Sequence, residues 1–206
     1  MKLSTRPVLA GAFCVALVAG SGLAAAAPGP ACNLVTDPAG DAEIVTAQPG
    51  LDVVTADIAS NAKTVTAVIR LAGPPGGGNP QAIGGTRYYF EFLPTGATKS
   101  QYLFASVPFL GEPTFHTGEI TVETGRSSFS ADPEPVKGAI KGNEITISAP
   151  MAAFKRANLK PGKKLGTLAV ETFALASAGG RGLLIAVDDA AGSKTYHAGT
   201  PSCLKV

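Results

Sequence analysis

The chain has 206 residues, 45% of them hydrophobic and only 16% charged, with a formal charge of +2. Lys2 and Arg6 account for that surplus; without them 15 basic residues face 15 acidic ones, and no basic strip remains to suggest a nucleic-acid partner. Frequent Val, Ile and Thr, with 25 glycines and 16 prolines, point to an all-β chain with one sizeable core.

Lys2 and Arg6 stand ahead of an apolar run from Val8 to about Val18, followed by small residues ending in "AAAAPGP". This is the layout of a secretory signal peptide over residues 1–26, with Ala24 and Ala26 as the small side chains before the cut. Gly20 and Gly22 interrupt the run, which falls short of the roughly 20 residues of a spanning helix. A lipoprotein fits poorly: Phe13 is too large before Cys14, and "GPAC" lacks a leucine ahead of Cys32. No later stretch is apolar enough to span a bilayer, so residues 27–206 are expected to form one secreted, extracellular domain.

Cys14 leaves with the leader, and Cys32 and Cys203 remain at the two extremes. In an oxidising compartment the simplest use of such a pair is one disulfide, and two free thiols suit an exported chain less well. Closing so long a loop is worth about 5 kcal/mol in the chain-entropy model. It also brings the termini together, as in a single compact domain.

The first loop, "LVTDPAGDAEIVTAQPGLD", places Asp37, Asp41 and Asp52 among turn-forming residues. "LDVVTADIAS" and "TVTAVIRLAG" flank "NAK" and read as a hairpin, Val65, Ala67, Ile69 and Leu71 marking the buried face. Pro74 to Gly85 reads as a surface loop. "TRYYFEFLP" alternates again, with Tyr88, Phe90 and Phe92 on one face and Tyr89, Glu91 and Leu93 on the other; "KSQYLFASVPF" completes a second hairpin. "GEITVET" and "SSFSAD" are shorter strands, and in "PVKGAIKGNEITISAP" Ile145 and Ile147 should point inward. Pro150 opens "PMAAFKRANL", read as one short helix with Met151, Phe154 and Leu159 facing the core. "LGTLAVETFALAS" and "RGLLIAVDDA" are central strands, Val170, Thr172 and Ala174 opposing Ala169, Glu171 and Phe173; "SKTYHAG" is the last strand. Nine or ten short strands with turns between them and one short helix describe an all-β sandwich.

Calcium takes six to eight oxygen ligands, and the loop aspartates are the residues that suit it. "DPAGD" offers Asp37 and Asp41, Asp52 starts the next strand, and "VDDAAG" sets Asp188 and Asp189 at a strand exit. A disulfide between the termini would make these clusters neighbours. The spacing is not that of an EF-hand, and the alternative is that these aspartates cap turns. The positive cluster from Lys155 to Lys164 fits no phosphate-binding loop. His116 and His197 are the only histidines; no G-x-S-x-G surrounds a serine and no histidine pair has zinc spacing. Glu119 and Glu123 read as solvent-facing strand residues rather than a glycosidase pair. Carbohydrate stacking would rely on tyrosines, since the chain has no tryptophan; Tyr89 and Tyr102 are the ligand-binding candidates beside Tyr88 and Tyr196.

"CNLVTDPAGDA", "LDVVTADIAS", "TVTAVIRLAG", "ITISAP", "VDDA" and "YHAGTPSC" together resemble secreted actinobacterial β-sandwich domains. More distantly, the layout is similar to family 9 carbohydrate-binding and DOMON-like sandwiches. The resemblance implies a jelly-roll-like sandwich of two antiparallel sheets, sometimes with calcium near the strand ends, and does not imply catalysis. DOMON-type haem binding would need an axial ligand such as Met151 with a histidine, and Met151 reads as a core residue. The expectation is a non-catalytic binding or structural module, calcium its cofactor and an extracellular or envelope ligand its partner. A carbohydrate-binding module is the alternative, and an enzyme of unrecognised type the third reading.

Overall fold

A computed structural model describes residues 32–42, 48–76, 85–123, 126–129, 133–178 and 181–204, with the backbone alone at 121–123, 126–129, 176–178 and 181–184. The signal-peptide reading of residues 1–26 lies outside the described residues, as does most of the loop after Gly76. The strands are β1 (Val35–Thr36), β2 (Val53–Ser60), β3 (Thr64–Leu71), β4 (Thr86–Pro94), β5 (Ser100–Val107), β6 (Thr114–Glu123), β7 (Arg126–Phe129), β8 (Glu134–Pro135), β9 (Lys137–Lys141), β10 (Glu144–Pro150), β11 (Lys164–Ala178), β12 (Arg181–Ala191) and β13 (Tyr196–His197).

They form two antiparallel sheets. One runs β1-β2-β3-β10-β9; the other runs β12-β11-β4-β5-β6-β7, with β13 attached to β11 and β8 to β6. Alternate side chains of facing strands meet between the sheets: Val65, Ala67, Ile69, Ile145 and Ile147 from one, Tyr88, Phe90, Phe92, Leu168 and Val170 from the other, all at most 1% exposed. Burying such side chains contributes roughly 1.5–3 kcal/mol for each large one and is the main force holding the sheets together.

The predicted helix over "PMAAFKRANL" is instead a single 3₁₀ turn, Met151–Phe154, followed by further turns. Pro150 supplies no capping side chain, no acid stands in the first turn, and Asn158 takes a left-handed φ of 51°. Met151, Phe154 and Leu159 are buried all the same, so the apolar spacing served packing without enough length to propagate a helix.

Cys32 and Cys203 are joined in a disulfide, 171 residues apart in sequence with Cα atoms 5.3 Å apart. The strap from Cys32 to Ala42 is fixed at several further points. Leu34 N–H donates to Asp57 (3.2 Å), Val35 and Thr36 pair with Ala56 and Thr55, Asp37 N–H donates to the Val54 carbonyl (3.1 Å), and Lys194 Nζ donates to the Cys32 carbonyl. Asp57 also receives Arg70 Nη1 at 2.9 Å, and Arg70 Nε reaches Glu144, so a buried carboxylate that holds the strap has its own counter-charge.

Candidate metal centre

The strap, the start of β2 and the end of β12 meet at one edge of the sandwich. Each reaches it through a departure from regular structure. At Pro38-Ala39-Gly40 the strap turns, Gly40 having a φ of 92° that favours glycine, and its N–H donates to Asp52 Oδ2 at 2.7 Å. At the entrance to β2 the register with β3 slips between Val53 and Thr55, and Leu51, Asp52 and Val53 are buried in succession. Two core hydroxyls hold this turn from within: Tyr88 donates to the Gly50 carbonyl (2.7 Å) and Thr172 to the Leu51 carbonyl (2.7 Å).

In β12 a β-bulge sets Thr172 opposite Asp188 and Phe173 opposite Ala186, leaving Val187 as the extra residue. Simple alternation would put Val187 and Asp188 on opposite faces. The bulge lets both turn inward, at 3% and 9% exposed. Asp188 Oδ2 then accepts Val53 N–H (2.7 Å) and its Oδ1 accepts Asp189 N–H (2.9 Å).

Carboxylate oxygens of Asp37, Asp41 and Asp188 lie within 4.8 Å of one another, the group among the described residues whose geometry could hold a metal ion. Asp52 stands outside this group but near enough for its charge to act on Asp37 and Asp188; it is 5% exposed, and its Oδ1 has no hydrogen-bond partner among the described residues. Crowding of these acids is reflected in their protonation. Burial, then the charges of Asp188 and Asp41, push the Asp37 carboxyl up from 3.8 to about 6, and it shares a hydrogen bond with Asp188. Burial likewise raises Asp188, opposed by its two backbone donors and reinforced by Asp41 and Asp52. An oxygen-only donor set of this kind suits a hard divalent cation.

Of the five aspartates read from sequence as metal ligands, the structure gathers Asp37, Asp41 and Asp188 within 4.8 Å of one another and leaves Asp52 buried outside that group. Asp189 is exposed, faces Glu171 across β11 and β12, and borders the cleft beside the cluster instead of standing within it. With Glu171 and Glu91 it forms a second acidic group that sequence reading missed: burial and then the charges of Glu171 and Asp189 push Glu91 up from 4.5 to about 8. The alternation of β4 and β11 puts Glu91 and Glu171 on the face opposite the core, but only strand order makes them neighbours.

The tyrosine platform is not formed. Tyr89 and Tyr102 are 3% and 1% exposed, and Tyr88 and Tyr196 are equally buried. Tyr89 stacks on Phe104 with centroids 4.7 Å apart and meets Tyr102 and Phe173 edge-on, a second apolar cluster that leaves no ring face for a sugar. His116 stacks on the far side of the same cluster against Phe104, while His197 is exposed at the end of β13, so neither stands with the acidic groups. Glu119 pairs with Lys99 at 3.5 Å, and the side chain of Glu123 lies outside those described. Met151 packs in the core.

Comparison with protein-family models, with curated proteins and with solved structures finds no match to this chain. Among the described residues no helix is long and apolar enough to cross a membrane.

Proposed function

We propose that this chain is an exported, non-catalytic binding or structural module whose N-terminal strap is locked onto the sandwich by a calcium ion held by Asp37, Asp41, Asp52 and Asp188. The observation that carries the reading is the convergence of Asp37, Asp41 and Asp188, with the orphaned, buried Oδ1 of Asp52 close enough for its charge to act on Asp37 and Asp188. An unpaired buried oxygen costs roughly 1–3 kcal/mol, and neighbouring negative charges add to that cost. A divalent cation relieves both at once. Calcium suits the site better than zinc because all four donors are carboxylates and none is nitrogen or sulfur. Export is supported by the signal-like leader and by the disulfide, a bond typical of oxidising compartments.

Thermal melting of chelator-treated protein during a calcium titration tests the reading. Free calcium at 100 times Kd adds about 2.7 kcal/mol, which raises Tm by about 5–10 °C in a domain of this size. An unchanged Tm at about 10 mM calcium, well above the Kd of typical extracellular sites, overturns it.

A further inference from the structure

A cleft of about 250 Å³ opens where β4 turns into β5, and it shares no residue with the cleft at the acidic edge. Its walls include Ala97, Lys99, Gln101, Glu119, Arg156 and Ala157. Strand register sets the polar floor. Gln101 on β5 stands opposite Phe92 on β4 and Glu119 on β6, so it takes the inward face and is 2% exposed. Its Nε2 turns back to the Lys99 and Ser100 carbonyls (3.2 and 3.3 Å), and its Oε1 accepts no hydrogen bond among the described residues. On a side chain so enclosed, that open oxygen calls for a donor from the cleft. Another wall is the turn after Phe154, which is held where Phe154 meets Phe92 edge-on at 5.3 Å and where Asn158 N–H donates to the Lys155 carbonyl (3.0 Å). This turn carries Arg156, exposed, its guanidinium without a hydrogen-bond or ion-pair partner among the described residues.

Charge and donor count define the ligand. Lys99 and Arg156 set two cations against one carboxylate, and Lys99 Nζ stands 3.5 Å from Glu119 Oε2, longer than a charge-assisted hydrogen bond. The lining therefore favours a ligand with one negative charge, and a guanidinium fork takes a carboxylate on two parallel N–H groups. Gln101 Oε1 requires an N–H beside that carboxylate. The last residue of a peptide carries both groups on one carbon. A free amino acid matches less well, because its ammonium cancels the charge that the lining favours. Ala97 and Ala157 leave room for a small side chain, and the volume lies below the roughly 300–1,000 Å³ of larger ligand pockets, which suits a single terminal residue. We propose that this cleft binds the free C-terminal residue of a peptide, its carboxylate on Arg156 and its amide N–H on Gln101.

The folded protein, kept in chelator so that the outcome is independent of calcium, is titrated into the millimolar range with N-acetyl-L-alanine while its backbone amide signals are followed by NMR. N-acetyl-L-alaninamide, sodium acetate and L-alanine serve as comparisons. Signals from Ala97 to Gln101 and at Arg156 and Ala157 are expected to move saturably with N-acetyl-L-alanine. The uncharged amide is expected to bind about tenfold more weakly, and acetate, which has no N–H to offer Gln101, about fivefold more weakly. Arg156→Gln, in an exposed turn, should keep the fold and weaken N-acetyl-L-alanine about tenfold. Gln101→Met should abolish the difference between N-acetyl-L-alanine and acetate. No saturable movement at these residues overturns the inference, as does a response that Arg156→Gln leaves unchanged. Equal binding of the amide or of acetate overturns it too, since the charge or the N–H then plays no part. L-alanine binding as tightly as its acetylated form overturns the choice of a peptide end.

Discussion

Replacing Asp52 by Asn removes one negative charge from a side chain that is 5% exposed, while its remaining carbonyl oxygen can still accept the Gly40 N–H. In chelator the new amide stands where Oδ1 had no donor, and it can donate to the crowded carboxylates of Asp37 and Asp188, whose protonation Asp52 now perturbs. Relief of the unpaired oxygen and of the repulsion is expected to stabilise the metal-free variant by about 1–2 kcal/mol, or roughly 2–8 °C in Tm. Calcium reverses the advantage. Losing one of four charged ligands should weaken calcium about tenfold, or about 1.4 kcal/mol, so that the calcium-induced rise in Tm shrinks by about 3–6 °C. Melting both proteins by circular dichroism, with chelator and with about 10 mM calcium, measures all four corners of the cycle. Equal calcium-induced shifts in the two proteins would refute Asp52 as a ligand. A variant less stable than the parent in chelator would refute the cost assigned to the orphaned oxygen.

Three further outcomes follow from the same contacts. Changing Cys32 and Cys203 together to Ser opens a loop spanning 171 residues and is expected to cost up to about 5 kcal/mol in urea denaturation; a loss below about 1 kcal/mol would show that β1 pairing alone holds the strap. Tyr88→Phe strips the hydroxyl that donates to the Gly50 carbonyl and accepts from Gly76 N–H, so a loss of about 1–3 kcal/mol is expected, together with weaker calcium binding because that turn carries Asp52; an unchanged urea midpoint would contradict it. Glu91, raised to about 8 from 4.5, retains its proton longer in the folded state, so its contribution is full below about pH 4.5 and is lost as pH rises through 8. Metal-free protein should therefore lose stability between about pH 5 and pH 8, on the order of 1–2 kcal/mol after solvent screening, and Glu91→Gln should flatten that slope; parallel slopes would remove Glu91 as the cause.

Local periodicity and a few special residues carry the part of the fold that is legible along the chain. Val65 to Leu71 and Tyr88 to Phe92 alternate with a period of two, and a strand with one buried face follows from that wherever the rest of the chain lies. Ile145 and Ile147 were legible as inward-facing for the same reason, and Cys32 with Cys203 because the remaining cysteine, Cys14, falls in the stretch read as a leader. The aspartates were legible as candidates, since carboxylates in glycine-rich turns suit a cation.

The 3₁₀ turn at Met151 was not legible, because the apolar spacing of a single turn is the same in a short helix and in a packed loop. Nor was the burial of Tyr89 and Tyr102, on the strand face away from the main core: it depends on Phe104 and Phe173 arriving from neighbouring strands. Tertiary structure alone decided which acids meet. A bulge in β12 turned Asp188 inward and left Asp189 facing Glu171, although the two are adjacent in sequence and chemically identical. Another register slip sank Asp52 beneath the strap. A one-residue irregularity reverses the face of everything beyond it, and whether it forms is settled by packing across the sandwich, which no local pattern records.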